Sequence, residues 1–108
     1  MKVYSDYADG RLTIFLHGEL DHHEVKQSMT VIENLLTDHM PRECVLDLGR
    51  LSFMDSSGIA LILRLDRQMS EIRGHTWVEN PSGQPLRVID ASGIDRIVKI
   101  TATKGAET

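Results

Sequence analysis

The sequence predicts a single α/β domain with a mixed, mostly parallel sheet and an antiparallel hairpin at its N-terminal edge. Two alternating apolar segments joined by a short turn begin the chain, and short apolar segments then alternate with amphipathic helical ones. The predicted order of elements is ββαβαβαβ. Because helices that join strands of one sheet form right-handed crossovers, the strands after the hairpin are expected to run parallel. The 108 residues fit one compact domain over 1–108.

The N-terminal hairpin is predicted from two strands and the turn between them. Residues 2–7 form the predicted edge strand, residues 8–10 (Ala-Asp-Gly) the turn, and residues 11–17 the second strand. A short Asp-Gly turn of this kind joins antiparallel strands. The second strand alternates strictly, and the side chains expected on its core face are those of Leu12, Ile14 and Leu16.

The first helix is predicted from its cap and from its apolar spacing. Asp21 precedes Glu24 by three residues, which is the pattern of a capping box, and Pro41 follows the end of the helix. The apolar residues at helical spacing are Val25, Met29, Ile32, Leu35 and Leu36. After this helix, residues 44–48 form a short apolar segment, predicted as a buried central strand in which Cys44 is an inert thiol.

The second half of the chain repeats the alternation of helix and strand. Its predicted elements are a helix over 56–72, a strand over 75–79 with Trp77 as a core residue, a short helix over 86–91 capped by Gly93, a last strand over 97–100 and a frayed tail over 101–108. Functional residues in such sheets gather where the parallel strands end. The segments expected at that edge, both predicted as loops, are residues 18–21 and residues 49–55.

Composition narrows the classes of partner. The net charge is −4 with a pI near 5.7, and the 12 Lys and Arg residues are scattered, so nucleic acid is not an expected partner. The N-terminal residues lack the apolar run of a signal peptide, and no segment is long enough to span a bilayer. A single cysteine excludes an internal disulfide. A cytoplasmic location is expected, without a membrane, a metal or a cofactor as partner.

Residues 51–58 (Leu-Ser-Phe-Met-Asp-Ser-Ser-Gly) have the most unusual layout in the chain, because apolar residues lead directly into Asp-Ser-Ser-Gly before a long helix. Asp55 or Ser56 is placed to cap that helix, which leaves Ser57 in its first turn beside unpaired backbone N–H groups. Helix N-termini accept anions readily, so a phosphate on Ser57 would be compatible with the fold. The simplest alternative is that Asp-Ser-Ser serves only as an N-cap.

Two further alternatives involve chemistry at the same place. A nucleophilic Ser57 would need the Gly-x-Ser-x-Gly turn of a hydrolase, but Asp55 and Ile59 stand at the two glycine positions. A metal site would use His22 and His23, but neighbouring side chains on a helix point about 100° apart and rarely bind one ion. Both alternatives are therefore disfavoured.

Four segments have a combined pattern that is more specific than any one of them. They are residues 18–23 (GELDHH), 45–48 (VLDL), 51–58 (LSFMDSSG) and 91–94 (ASGI), and they span nearly the whole chain. In this order the segments resemble those of STAS domains, and specifically of the sporulation-type anti-sigma-factor antagonists.

The resemblance implies a partner-switching role without catalysis. In that family the unphosphorylated antagonist binds an anti-sigma factor that is also an ATP-dependent serine kinase, and a sigma factor is thereby freed for transcription. The kinase phosphorylates the second serine of the Asp-Ser-Ser-Gly motif, which is Ser57 in this chain. A serine phosphatase acting on phospho-Ser57 reverses the change.

The resemblance also implies a docking surface made of the two edge segments. A phosphate adds about −1.5 to −2 charges, and on Ser57 it would weaken binding by bulk, desolvation and repulsion without refolding the domain. The predicted partner-binding residues are Asp21, His22, His23, Ser52, Met54, Asp55, Ser56 and Gly58. A STAS scaffold or regulatory subunit of another partner-switching complex is left open as an alternative, as is the oligomeric state.

Overall fold

The computed structural model describes residues 1–102, and it confirms the predicted class of fold, a mixed sheet with helices. The elements are β1 (Lys2–Ala8), β2 (Arg11–Leu20), α1 (Val25–His39), β3 (Glu43–Asp47), β4 (Leu51–Met54), α2 (Ser56–Glu71), β5 (His75–Glu79), α3 (Gly83–Ser92) and β6 (Lys99–Thr101), with a 3₁₀ turn at Ile94–Arg96. Thr101, predicted to begin a frayed tail, belongs to β6, and residues 103–108 of that tail lie outside the described residues.

The sheet positions the ends of two strands side by side. Its strand order is β1-β2-β3-β5-β6, with β1 antiparallel to β2 and the other pairs parallel, and β4 pairs with the far end of β2. Residues 11–15 of β2 pair with β3, whereas its last residues pair with β4 after a register shift between Gly18 and Glu19. Gly18 has a φ of 112°, which glycine adopts without strain. Leu20 and Met54 are thereby register partners.

The helices cover one face of the sheet. Leu12, Ile14 and Leu16 are fully buried there, as predicted, and they share one core cluster with side chains from all three helices. The other large contributors are Met29, Ile32, Leu46, Leu48, Leu61, Ile62, Leu65, Met69, Val78 and Ile89. Burial raises the pKa of the Cys44 thiol to about 12, so this side chain is an inert part of the core, as predicted.

Trp77 does not lie in the core, so its predicted position was wrong. Successive strand residues point to opposite faces of a sheet, and in β5 it is Val78 that faces the helices. Trp77 is half-buried on the opposite face, where its indole N–H donates to Glu79 Oε2 at 2.8 Å. The Arg11 guanidinium lies 5.0 Å from the centre of its ring, within the range of a cation–π interaction.

Several predicted boundaries differ from the structure. Residues 49–55, predicted as a loop, contain the strand β4, because pairing with the end of β2 stabilises four residues that show no strand pattern of their own. The second strand continues to Leu20, and the third helix begins at Gly83, with Pro85 in the first turn, where no N–H is needed. The last strand is displaced to Lys99–Thr101 because a 3₁₀ turn precedes it.

Candidate functional site

Asp55 is the N-cap of α2. Its backbone is extended, with φ −104° and ψ −170°, and its Oδ1 accepts a hydrogen bond from the Ser57 N–H at 2.8 Å. Of the two predicted caps, Asp55 and Ser56, the structure assigns the role to Asp55. Ser57 therefore lies in the first turn of the helix, as predicted, beside backbone N–H groups that have no partner within the helix.

The same carboxylate joins the two segments at this edge of the sheet. Asp55 Oδ2 accepts a hydrogen bond from the His22 N–H at 3.1 Å, and His22 Nδ1 lies 3.8 Å from the same oxygen. The Asp55 N–H in turn donates to the carbonyl of Leu20 at 3.3 Å. The two edge segments thus adjoin, and one side chain connects the turn that follows β2 to the first turn of α2.

The surroundings of Asp55 favour its ionised form. Desolvation at the helix start raises its pKa, but hydrogen bonds from the Ser57 N–H and hydroxyl and from the His22 N–H, together with the His22 side chain, lower the pKa by more. The net result is a pKa below the ordinary value for aspartate. At neutral pH, the Ser57 hydroxyl is therefore next to a fixed negative charge.

The start of α1 is built differently from the predicted capping box. Asp21 Oδ1 accepts hydrogen bonds from the N–H groups of His23 and Glu24, at 3.0 and 3.1 Å, and the helix begins only at Val25. Glu24 does not reach back to Asp21. Its Oε1 instead accepts from the N-terminal ammonium of Met1 at 2.8 Å, because the start of β1 lies beside this turn. Asp21, predicted as the N-cap of this helix, therefore caps the turn at residues 22–24 that precedes α1, and the predicted role of Glu24 was wrong.

Most of the predicted partner-binding residues, and Ser57 with them, have exposed surface. His22, His23, Ser52 and Ser56 are exposed, while Asp21, Asp55 and Ser57 are partly exposed. Ser52 is held in place by a hydrogen bond from its Oγ to the carbonyl of Gly18 at 3.0 Å. These side chains lie on β4, on the turn that follows β2 and at the start of α2, so the structure brings most of the predicted set together.

Met54 and Gly58, predicted as partner contacts, lie inside the domain instead. The Met54 side chain has no exposed surface, and Gly58 is buried in the first turn of α2. A Cβ added to Gly58 would approach Met54 Cε to 2.8 Å and Leu20 Cδ2 to 3.3 Å. The glycine therefore allows α2 to pack closely on the ends of β2 and β4, and it does not provide room for a partner.

Two residues of this region were missed in the sequence. The side-chain amide of Gln84 accepts from the Met54 N–H and donates to the Met54 carbonyl, both at 2.9 Å, and so holds β4 in place from α3. No local signal marks this role, since it depends on tertiary placement alone. Phe53 is 38% exposed on β4, next to Ser52, and its place in an apolar run concealed its exposure.

The groups that could carry chemistry at this site are few among the described residues. Within residues 1–102, no hydrogen bond joins a histidine to Ser57, and no group of three or more His, Cys, Asp or Glu side chains is placed to hold a metal ion. No helix in this part of the chain is long and apolar enough to cross a membrane. What the site does present is a hydroxyl at a helix N-terminus, beside a carboxylate and two exposed imidazoles.

The fold and this site together define a small α/β domain with a serine at an accessible helix start on the carboxyl edge of its sheet. The model of the STAS domain family matches residues 4–106, and the chain belongs to that family.

Similar relatives and solved structures agree with that assignment. The anti-sigma F factor antagonist of Lysinibacillus sphaericus is 37% identical over 83 residues, which cover 77% of this chain and 71% of that protein. The unphosphorylated structure of the anti-sigma factor antagonist SpoIIAA superposes with a TM-score of 0.81 at 31% identity, over 98% of this chain and 92% of that one. The phosphorylated form of SpoIIAA from Bacillus gives a TM-score of 0.72 at 31% identity, over 98% and 96%.

Proposed function

We propose that this protein is an anti-sigma-factor antagonist that acts by binding and is switched off by phosphorylation of Ser57. In its unphosphorylated form it binds an anti-sigma factor that is also a serine kinase, and a sigma factor is released. A serine phosphatase restores the binding form. Sigma factors act where transcription takes place, so the proposed location is the cytoplasm. Similarity to the antagonist of L. sphaericus and to both forms of SpoIIAA supports this proposal.

The observation that best supports the proposal is the bridge made by Asp55. Because its two carboxylate oxygens bind the Ser57 N–H and the His22 N–H, the proposed phosphorylation site and the neighbouring turn form one surface. The proposed docking surface consists of Asp21, His22, His23, Ser52, Asp55 and Ser56 around Ser57, with Met54 and Gly58 supporting it from beneath.

A phosphate at Ser57 would act on this surface while leaving the fold in place. The positive end of the α2 dipole and its unpaired N–H groups favour an anion in the first turn. The phosphate would nevertheless lie next to the ionised carboxylate of Asp55, so about two further negative charges would accumulate at the centre of the surface. A partner that packs over Ser57 would have to desolvate these charges, and its binding is expected to weaken at least about tenfold.

Incubation with the cognate anti-sigma kinase and ATP tests the site of modification. Intact mass measurement is expected to show one added phosphate on the wild-type chain and none on Ser57→Ala. Ser56→Ala is the matched control, because it removes the neighbouring exposed hydroxyl and is expected to gain phosphate like the wild type. Equal phosphorylation of Ser57→Ala would contradict the assignment of the site.

Binding measurements test the antagonist role separately. Ser57→Asp is expected to bind the kinase at least about tenfold more weakly than the wild type, which corresponds to about 1.4 kcal/mol. Unchanged binding of Ser57→Asp would refute the charge mechanism. A wild-type chain that binds a partner but gains no phosphate would instead support a STAS regulatory subunit of another complex.

A further inference from the structure

We propose that the outer edge of β1 is a self-association surface, where β1 of a second copy of this chain pairs antiparallel and joins the two sheets. An edge strand leaves alternate backbone N–H and C=O groups unpaired, and another strand can bind them. The inference is independent of the proposed function, since none of the residues proposed to bind the anti-sigma factor lies on β1.

Among the strands of the described chain, β1 is the one with a long and open edge. At the edge formed by β4, the Gln84 amide already binds the N–H and the C=O of Met54, as a neighbouring strand would. At the far edge, β6 has only three residues, and short edge strands resist pairing. By contrast, β1 has seven residues without proline, and its pairing with β2 is continuous from Lys2 to Ala8 without a bulge.

The side chains of β1 leave its polar residues available to a second strand. Val3 packs against the core on the helix side, so Lys2, Tyr4 and Asp6 point to the opposite face. Tyr4 is 48% exposed, with its ring 4.8 Å from that of His17. Neither Lys2 nor Asp6 forms an ion pair with any residue in 1–102.

Charge selects one register for a symmetric antiparallel pair. When the two-fold axis passes through Tyr4, Lys2 of each copy lies opposite Asp6 of the other, so that two ion pairs flank a tyrosine pair. An axis through Ser5 would place Lys2 opposite Ala8, and an axis through Asp6 would place the two aspartates against each other. Edge charges that usually prevent pairing are therefore self-complementary in this strand.

A groove beside β1, lined by polar and apolar side chains in similar measure, extends the same surface. It encloses about 290 Å³ between β1 and α1, and its walls include Met1, Val3, Gln27 and Val31. Val31 is 41% exposed. Because the two-fold axis brings both α1 helices to the same side of the joined sheet, pairing of β1 covers part of this groove in each copy. The surface remains small, so a weak dimer is expected.

A charge exchange tests the pairing and its register together. Sedimentation velocity of the full chain without an affinity tag is expected to show a monomer–dimer equilibrium at concentrations up to about 1 mM, weakening with added salt. Lys2→Asp and Asp6→Lys each place like charges opposite one another twice per dimer. Each single change is expected to raise the dissociation constant about tenfold. The double variant is expected to return it to within about threefold of the wild-type value, with thermal unfolding as the check on folding.

Cross-linking provides a second test of the register. Residues opposite each other in an antiparallel pair have Cα atoms about 4.5 to 5.5 Å apart, so Tyr4→Cys is expected to form a disulfide between copies under mild oxidation. Ser5→Cys is the matched control, because its two copies would be offset by two residues and beyond the reach of a disulfide. The inference is overturned if the wild type stays monomeric, if the double variant fails to recover, or if Ser5→Cys cross-links as fast as Tyr4→Cys.

Discussion

The helices α1 and α2 follow neighbouring parallel strands, and an aspartate lies at or before the start of each. The two aspartates differ in the number of turns that they bind. Asp21 binds two N–H groups of its own turn, and three residues separate it from the first residue of the helix. Asp55 caps its helix directly and also binds the N–H of His22 in the other turn. The first carboxylate orders one turn, whereas the second orders its own helix start and holds the neighbouring turn against it.

This difference explains why the proposed switch would belong to α2 and not to α1. Ser57 shares its aspartate with the neighbouring turn, so a change of charge at Ser57 acts on both parts of the surface through Asp55. No such bridge extends from Asp21 within the described residues, and Glu24 is occupied by the N-terminal ammonium of Met1. Equivalent changes at the two helix starts are therefore expected to have unequal effects.

The largest effect is expected from filling the space at Gly58. Gly58→Val places a branched side chain against Met54 and Leu20, where a Cβ alone would approach Met54 Cε to 2.8 Å. Overpacking of this kind costs about 1–3 kcal/mol of unfolding free energy, measurable by urea denaturation. Ala60→Val in the same helix is the control, because Ala60 is exposed and the change is expected to cost only about 0.7 kcal/mol in helix propensity. Equal losses in both variants would show that the close packing at Gly58 is unimportant.

Replacing each aspartate by alanine tests whether Asp55 stabilises both turns and Asp21 only its own. Asp55→Ala removes a helix cap and a link between turns, so a loss of about 1–2 kcal/mol is expected, against about 0.5–1 kcal/mol for Asp21→Ala. Amide hydrogen exchange gives the sharper readout. Asp55→Ala is expected to reduce protection at both Ser57 and His22, whereas Asp21→Ala reduces it at His23 and leaves Ser57 unchanged. Loss of protection at Ser57 in Asp21→Ala would contradict the separation of the two roles.

The elements around the site differ in how far the local sequence predicts them. The start of α2 is encoded locally, because an aspartate, two small residues and a long amphipathic segment specify a capped helix wherever they occur. The strand β4 is not encoded locally, because its four residues show no alternation of apolar and polar side chains. They form a strand because they pair with the end of β2 and because the Gln84 amide binds the Met54 backbone. At Glu24 a tertiary contact replaces the locally predicted one. The local sequence fits a capping box, but the packing of β1 brings the N-terminal ammonium of Met1 to the Glu24 carboxylate.

The local sequence also does not predict which side chains at the site are exposed. Met54 and Phe53 are adjacent apolar residues of one run, and the sequence does not say which of them faces inward. The register with β2 decides this by placing Met54 beside Leu20 in the core, which leaves Phe53 at the surface. The adjacency of the two edge segments, by contrast, follows from topology, because parallel neighbouring strands end at the same edge.

The smallest expected effect is a change in pH dependence, and it isolates the charge of Asp55 from its role as a cap. Asparagine is also a good N-cap, so Asp55→Asn retains an acceptor for the Ser57 N–H, but it carries no charge and places an NH2 donor where Asp55 Oδ2 accepts from the His22 N–H. The pKa of Asp55 in the folded protein lies below its ordinary value, so the unfolded chain takes up the proton first as the pH falls. The ionised carboxylate therefore contributes its full stabilisation above about pH 4, the pKa of an unfolded aspartate, and loses it as the pH falls through the lower folded value.

The difference in unfolding free energy between wild type and Asp55→Asn is expected to shrink over that acidic range, measured by urea denaturation at a series of pH values. Parallel curves for the two proteins would show that ionisation of Asp55 adds no stability, and would contradict the role given to the charge that a phosphate at Ser57 would oppose.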